Sequence, residues 1–426
     1  MESNEENMDA SLLEGQATKK LGPLRAFSSV AFRLFWFASL ASVVSFFMST
    51  IARGWLVLDM TDSAFQVTAI NATGMVPTLA FSIFGGVMAD RMNRRTLMIC
   101  SDIMSFLIVV VFFVSIFLEV VELWQIFLLT LIHGIAFALG MPARAAIISS
   151  LVDKKHITSA VALFTIVFSS GQMVGPAMAG YLINAYGMAS PFMLAVIILA
   201  IALFFLFRLR IPVTVMNSQP EQNISIWESL RQGFGYVIHT RIIVGLILMG
   251  VITTVFALPY QTLLPVFARD VLDVGASGLG WLGGLGGAGS IVGSITVASF
   301  SSARPMKFLM LIGSIGLGTF IILFSLSTIY LLSLVIVFCV GFLFQIFMAS
   351  NFTFVQLIAP DHIRGRVLSI RMIAFGLSPI GMILLGTSAE MFGPSTATAG
   401  TGAISVLLIV VLLIAIPILK RVDRSL

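Results

Sequence analysis

A dozen long apolar runs constrain what this chain can fold into. They lie at roughly 34–57, 65–88, 96–118, 123–143, 157–183 and 189–207, then at roughly 242–267, 276–300, 306–326, 329–355, 366–388 and 398–419. Each matches the ~20 apolar residues that a helix needs to cross the hydrocarbon core of a bilayer. Lipid offers the backbone no hydrogen-bond partner, so segments of this length stand in a membrane as helices. Residue usage agrees, since 58% of the 426 residues are hydrophobic and 10% are charged, against about 25% charged in a soluble domain. The expectation is an all-α polytopic membrane protein.

One long polar interruption, Arg210 to Arg241, divides the runs six and six. The expected organisation is a disordered cytoplasmic tail over 1–25, a six-helix bundle over 26–208, a linker over 209–241, a second bundle over 242–420 and a tail over 421–426. The linker reads as ending in a short amphipathic helix around Trp227 to Tyr236. The first residues are polar and acidic, without the basic and apolar regions of a cleavable signal peptide.

The net charge of +5 fits membrane topology better than nucleic-acid binding. The tail, every second loop and the C-terminus hold all Lys and Arg except Arg53 and Arg269, with Arg144 and Arg371 counted among the loop residues. The alternate loops carry Asp59, Asp62, Glu119, Glu122, Asp270, Asp273 and Glu390. Because cytoplasmic loops concentrate Lys and Arg, both termini are expected in the cytoplasm of a bacterial cell. Cys100 and Cys339 fall inside apolar runs, which argues against a disulfide framework.

An internal repeat sets LVDKKHITSAVAL over LIAPDHIRGRVLS at one constant offset, aligning His156 with His362, Ile157 with Ile363 and Val161 with Val367. The same offset aligns Gly175 with Gly381, Gly180 with Gly386 and Gly187 with Gly393. Both copies run in the same direction through the membrane, so the halves are expected to be parallel repeats about an axis along the membrane normal.

Two motifs carry more. In GGVMADRMNRR, Gly86 lets helices approach and Asp90 offers a carboxylate to an arginine or a helix N-terminus, with Arg91, Arg94 and Arg95 following. In GQMVGPAMAG, Gly171, Gly175 and Gly180 are small and Pro176 removes a backbone hydrogen bond. Both resemble signatures of the major facilitator superfamily, the first its cytoplasmic loop motif and the second its antiporter motif. The resemblance covers nearly the whole chain. FRLFWFAS, ARGWLVLDMTDSAFQV, MPARAAII and APDHIRGRVLS further resemble the branch of enterobactin exporters, macrolide efflux proteins and transmembrane secretion effectors.

That resemblance implies twelve helices in two six-helix bundles, a secondary transporter working by alternating access, no cofactor, and a monomer. It implies a lipid bilayer, a small-molecule substrate and a proton or other ion as partners, without nucleic acid. Proton-coupled export of an amphipathic organic compound is the expected function; an importer of a small metabolite and a non-transporting receptor are the alternatives. The family's loop motif latches onto the start of the eleventh helix and favours the state closed to the cytoplasm. Asp102, about two turns into the third helix, is expected to join the Arg91–Arg95 cluster. The other reading of these arginines is topological anchoring. Asn93 stands where the family has glycine and is expected to take the left-handed conformation of a tight turn.

Ionisable residues at mid-depth are functional candidates. His133 is a candidate for proton coupling, with a neutral imidazole bonded to a neighbouring helix as the alternative. Arg53 is expected to snorkel outward or pair with Asp59 or Asp62. Asn71, Gln172, Phe256, Tyr260, Gln261, Gln345 and Asn351 are candidates for a substrate cavity or for interhelical contacts. Arg364 and Arg366, before the eleventh helix, are candidates to meet acids of the opposite half or to anchor the loop. Gly284, Gly286 and Gly289 mimic a dinucleotide fingerprint but lie in an apolar span, and no P-loop string occurs. Without a paired nucleophile and base or metal-ligand spacing at one depth, enzyme chemistry is not expected.

Overall fold

The computed structural model describes residues 22–91, 93–153, 156–210, 235–300, 303–360 and 363–417; the side chains of 22–24, 79–91, 158, 303–305, 369 and 372–375 lie outside that description. The first half consists of α1 (Val30–Thr61), α2 (Ala64–Arg91), α3 (Arg94–Phe117), α4 (Leu123–Leu151), α5 (Ile157–Tyr186) and α6 (Ser190–Arg208). The second consists of α7 (Arg241–Ile252), α8 (Gly275–Ala298), α9 (Ala303–Leu326), α10 (Tyr330–Ile358), α11 (Arg364–Phe375), α12 (Ser378–Phe392) and α13 (Pro394–Ala415).

α7 opens a longer span that reaches Val271 through π-helical turns at Thr253–Ala257 and Phe267–Val271 and 3-10 turns at Leu258–Leu263. Pro259 and Pro265 lie in this irregular stretch and cannot donate to a helical ladder. α11 and α12 form the eleventh crossing, interrupted at 376–377 just before Pro379. Ten segments among the described residues are long and apolar enough to cross a membrane. With α2 and the interrupted eleventh crossing, all twelve apolar runs are helical.

Helix ends follow local chemistry. Ser29 caps α1, its Oγ accepting from the Phe32 N–H at 3.3 Å. Asn93 caps α3, its Oδ1 accepting from the N–H groups of Arg95 at 3.0 Å and Thr96 at 3.4 Å. Its φ of −61° and ψ of 115° are extended, not left-handed; a side-chain acceptor at a helix start satisfies donors that the backbone leaves free. The last residues of the expected tail are ordered in part. Gly22–Ser28 forms a 3-10 turn with Ala26 buried, and Phe27 packs edge-on against Phe32 and Trp36 at 5.7 and 5.2 Å. Residues 1–21 lie outside the described residues, as does the expected linker helix apart from a helical turn at 235–239.

The repeat reappears as matched geometry. Gly187 and Gly393 end α5 and α12 with φ of 83° and 84°, and their N–H groups donate to the carbonyls of Ile183 and Ala389, both at 3.0 Å. Glycine adopts this conformation without steric cost. Packing is matched as well. A Cβ on Gly180 of α5 would strike the Ala276 carbonyl of α8 and stand 2.6 Å from the Gly280 Cα, while one on Gly386 of α12 would strike Thr68 of α2. The seam between the bundles therefore runs through α2, α5, α8 and the eleventh crossing.

α8 has two glycine faces: Gly280, Gly283, Gly284 and Gly287 approach α5, and Gly286, Gly289 and Gly293 approach α10. The fingerprint-like glycines are thus packing residues. Gly171 and Gly175 bring α5 onto α1 at Val43, Val44, Phe47 and Met48, whereas Pro176 and Gly180 face the other bundle.

Gly180→Ala forces backbone apart and should cost about 1–3 kcal/mol, the range for overpacking. Gly250→Ala meets nothing within 4 Å and should leave stability unchanged or raised. Melting temperatures of the two purified variants in one detergent provide the comparison.

Candidate functional site

Charge is expensive inside a lipid-embedded bundle, which makes buried ionisable side chains the most informative ones. Arg53, Asp102, His133 and Arg144 are 5%, 2%, 2% and 3% exposed, all within the first bundle. His133 and Arg144 stand about three turns apart on α4 and so share a face. Ser42 and Arg53 have the same spacing on α1.

Toward the end that carries the basic loops, Arg144 Nη2 donates to Asp102 Oδ1 at 2.5 Å and Ser42 Oγ donates to Asp102 Oδ2 at 2.8 Å. Ser101 docks α3 on α4 by donating to the Ala136 carbonyl at 2.7 Å. Toward the opposite end, Arg53 Nη1 lies 2.7 Å from His133 Nδ1 and Arg53 Nη2 donates to Thr50 Oγ1 at 3.1 Å. A guanidinium only donates, so His133 Nδ1 is the acceptor and carries no proton. The Phe112 ring lies 5.7 Å from the same guanidinium. Between the two groups is a cavity of about 20 Å³ lined by residues that include Ser42, Phe46, Asp102, His133, Phe137 and Arg144. It has room for a water or two and not for an organic cargo.

These partners differ from those expected. Asp102 does not pair with Arg94 or Arg95, which donate to the Ala146 and Phe207 carbonyls, each at 2.9 Å. Phe207 lies in the last turn of α6, where carbonyls are free, and Ala146 lies toward the C-terminal end of α4, where the helix dipole attracts cations, while Asp102 is about two turns deeper. The side chains of Asp90 and Arg91, and Gly86 beside them, fall in the stretch outside the description. Arg144 is not a loop residue, because α4 continues through Pro142 to Leu151. Arg53 turns inward instead of snorkelling, and Asp62 pairs with Arg269 Nη1 at 2.8 Å. In this structure the contact with Arg53 engages His133 Nδ1 as an acceptor, the arrangement of a neutral imidazole bonded to a neighbouring helix, while Asp102 lines the same cavity.

The seven cavity candidates are not gathered around that cavity. Asn71 Nδ2 donates to Val67 O of its own helix at 2.8 Å. Gln172, Phe256 and Gln345 are half-buried, Gln261 is exposed, and Tyr260 is buried with its ring edge-on to Phe324 at 6.1 Å. Asn351 is fully buried and joins helices, donating to Leu246 O at 2.9 Å and accepting from Arg371 Nε at 3.0 Å. Arg364, the first residue of α11, donates from Nε to the Gln356 carbonyl at 2.9 Å, and Arg366 lies in the same first turn.

At the end bearing the acidic loops, the halves are tied by side chains that sequence reasoning did not single out. Arg269 Nη1 also donates to Leu58 O at 3.0 Å, while Glu390 Oε2 accepts from Ser63 Oγ and from the Phe65 N–H, both at 3.1 Å. Glu390 thereby places a carboxylate at the N-terminus of α2, where the helix dipole favours it.

Removing one member of the Asp102–Arg144 pair leaves a buried charge without its partner and should cost about 3–5 kcal/mol. Asp102→Asn and Arg144→Gln should each lower the melting temperature, and the double variant should recover part of the loss. Strict additivity of the two losses in a double-mutant cycle would count against direct coupling.

Residues 20–425 match the family profile described as transmembrane secretion effector. The chain is 27% identical over 399 residues to the enterobactin exporter EntS of Shigella boydii, covering 93% of this chain and 94% of that protein. It is 24% identical to the multidrug efflux pump Tap of Mycolicibacterium fortuitum, over 92% and 97% of the two chains. To the staphyloferrin A transporter of Staphylococcus aureus it is 24% identical, over 85% and 90%. In fold it is similar to a solved nucleoside transporter, with a TM-score of 0.73 at 16% identity over 90% and 99% of the chains. A D-xylose–proton symporter gives 0.66 at 15% identity over 89% and 97%. The chain belongs to the transmembrane secretion effector family of major facilitator transporters.

Proposed function

We propose that the protein exports an amphipathic organic compound of the siderophore or drug class across the bacterial plasma membrane in exchange for protons, by alternating access, with both termini in the cytoplasm. Relatives named for enterobactin export, multidrug efflux and staphyloferrin A transport support the cargo class. With no P-loop string in the sequence, the energy source is an ion gradient or a separate partner, of which we propose the gradient. The observation that carries the coupling is the buried Asp102–Arg144 pair beside a water-sized cavity.

When Asp102 is ionised, the two charges compensate each other. A proton passed to Asp102 through the cavity removes the carboxylate's charge and leaves Arg144 buried without a counter-ion, which is far costlier than the intact pair. The bundle relieves that cost by moving α4 relative to α1 and α3. A proton thus binds one conformation better than the other, which is what coupling requires. Opening to the outside breaks the Asp62–Arg269 and Glu390 contacts. Gly86, Asp90, Arg91, Arg94 and Arg95 form the latch on the cytoplasmic side.

In inverted vesicles with an acidified lumen, an exported drug or siderophore should raise the internal pH reported by a fluorescent dye. Asp102→Asn should abolish that compound-driven proton release while sparing compound-for-compound exchange, and His133→Ala should retain release. Release that survives Asp102→Asn would remove this carboxylate from coupling; no release with any compound, in vesicles holding folded protein, would count against export. Asp90→Asn should raise cysteine accessibility from the cytoplasmic side, and unchanged accessibility on both faces would count against the latch.

A further inference from the structure

Arg371 lies about two turns into α11 and is 6% exposed. It does not reach toward headgroups as an anchoring arginine does, but turns onto α10. Its Nε donates to Asn351 Oδ1 at 3.0 Å, and its guanidinium carbon lies 5.0 Å from the centre of the Phe352 ring. Asn351 is itself fixed, because its Nδ2 donates to Leu246 O of α7 at 2.9 Å. A chain of contacts through α7, α10 and α11 therefore sets the direction of the guanidinium.

No carboxylate among the described residues pairs with Arg371. Its Nη2 makes two long contacts, 3.4 Å to the Met348 carbonyl and 3.8 Å to Met348 Sδ, and among the described residues its Nη1 makes none. The Nη1–Nη2 edge, which binds carboxylate or phosphate in a two-pronged fashion, is thus held only by long contacts from Nη2 to Met348. Arg53, the other buried arginine without an acid, has both terminal nitrogens engaged by His133 and Thr50. A guanidinium withdrawn from water with a free edge is costly unless an anion joins it.

We propose that Arg371 receives an organic anion, with a carboxylate- or phosphate-like head on the guanidinium edge and an apolar body along the partly exposed Phe352 ring. Resting on the export reading above, this makes an anionic amphiphile the preferred cargo. The head group of an anionic phospholipid has the same chemistry.

The test uses the full chain in phosphatidylcholine liposomes and two dyes with one xanthene scaffold, anionic fluorescein and cationic rhodamine 6G. Fluorescein should be the better transported. Arg371→Gln should reduce its transport at least tenfold while leaving rhodamine 6G transport unchanged, and Arg371→Lys should restore part of it. Rhodamine 6G transported as well as fluorescein, or fluorescein transport unchanged in Arg371→Gln, would overturn the assignment and leave export intact. Competition by added phosphatidylglycerol that disappears in Arg371→Gln would support the anion site and assign it to lipid.

Melting temperature in detergent supplies a second readout that needs no transport. A rise with fluorescein and not with rhodamine 6G, lost in Arg371→Gln, would keep the site even if neither dye crossed the membrane, in which case the export reading would fail alone. No fluorescein-specific rise together with no fluorescein transport would overturn the anion site. If Arg371→Gln does not fold, Arg371→Lys still decides: a change in the fluorescein-to-rhodamine ratio supports the site, and an unchanged ratio overturns it.

Discussion

A guanidinium inside a helical bundle keeps its charge at any physiological pH, so the protein around it must supply acceptors or a counter-ion. Three arginines on membrane-spanning helices meet this demand in different ways. Arg144 has the carboxylate of Asp102, Arg53 has the imidazole of His133 with the hydroxyl of Thr50, and Arg371 has the amide of Asn351. The differences matter because the three arrangements respond differently to a proton. An ion pair is undone by one proton on its acid, an accepting imidazole loses its guanidinium contact if it takes a proton, and an amide does not titrate.

Such a local event has consequences only if the surrounding helices can move as units. The glycine seam makes that possible. Where Gly180 lies against Ala276 and Gly280, and Gly386 against Thr68, the bundles meet largely through backbone and small side chains. A smooth contact of this kind presents few interlocking groups to displace when the bundles rock. The polar ties at the acidic end, Arg269 with Asp62 and Glu390 with the start of α2, are exposed or near the surface, and exposed ion pairs contribute only ~0–1 kcal/mol each. The polar ties are thus weak enough to be exchanged for others, while a buried apolar cluster that joins Leu56, Val57 and Phe112 with Tyr260, Leu263 and Phe267 also spans the two halves.

Much of the fold was legible because its signals are collective. Twelve apolar runs, alternating loop charge and a ladder of aligned identities each sum many residues, and the matched helix ends at Gly187 and Gly393 show the repeat in geometry. The candidate site was less legible because it depends on single partners. Nothing in the sequence says that His133 meets Arg53, since the spacing that aligns them belongs to two different helices. Asn93 could serve a tight turn or a helix cap, and only the backbone around it decides. The cavity candidates were chosen for residue type; type alone does not distinguish Asn351, which bridges helices, from a residue that lines a pocket.

The most consequential misplacement concerned Arg144 and Arg371, and its cause is length. α4 has 29 residues, which at 1.5 Å per residue makes about 44 Å of helix against a hydrocarbon core of ~30 Å. Several ångströms of helix must therefore project at each end. A basic residue about two turns from a helix end can satisfy the charge bias of the cytoplasmic loops and still lie just inside the bundle. Asp102, Arg144 and Arg371 all stand at about that depth on α3, α4 and α11. Counting Arg144 and Arg371 with the loops follows the charge bias but conceals their burial. A helix longer than the membrane allows one residue to contribute to both topology and mechanism, and near such ends partner contacts, not sequence position, separate an anchor from a site.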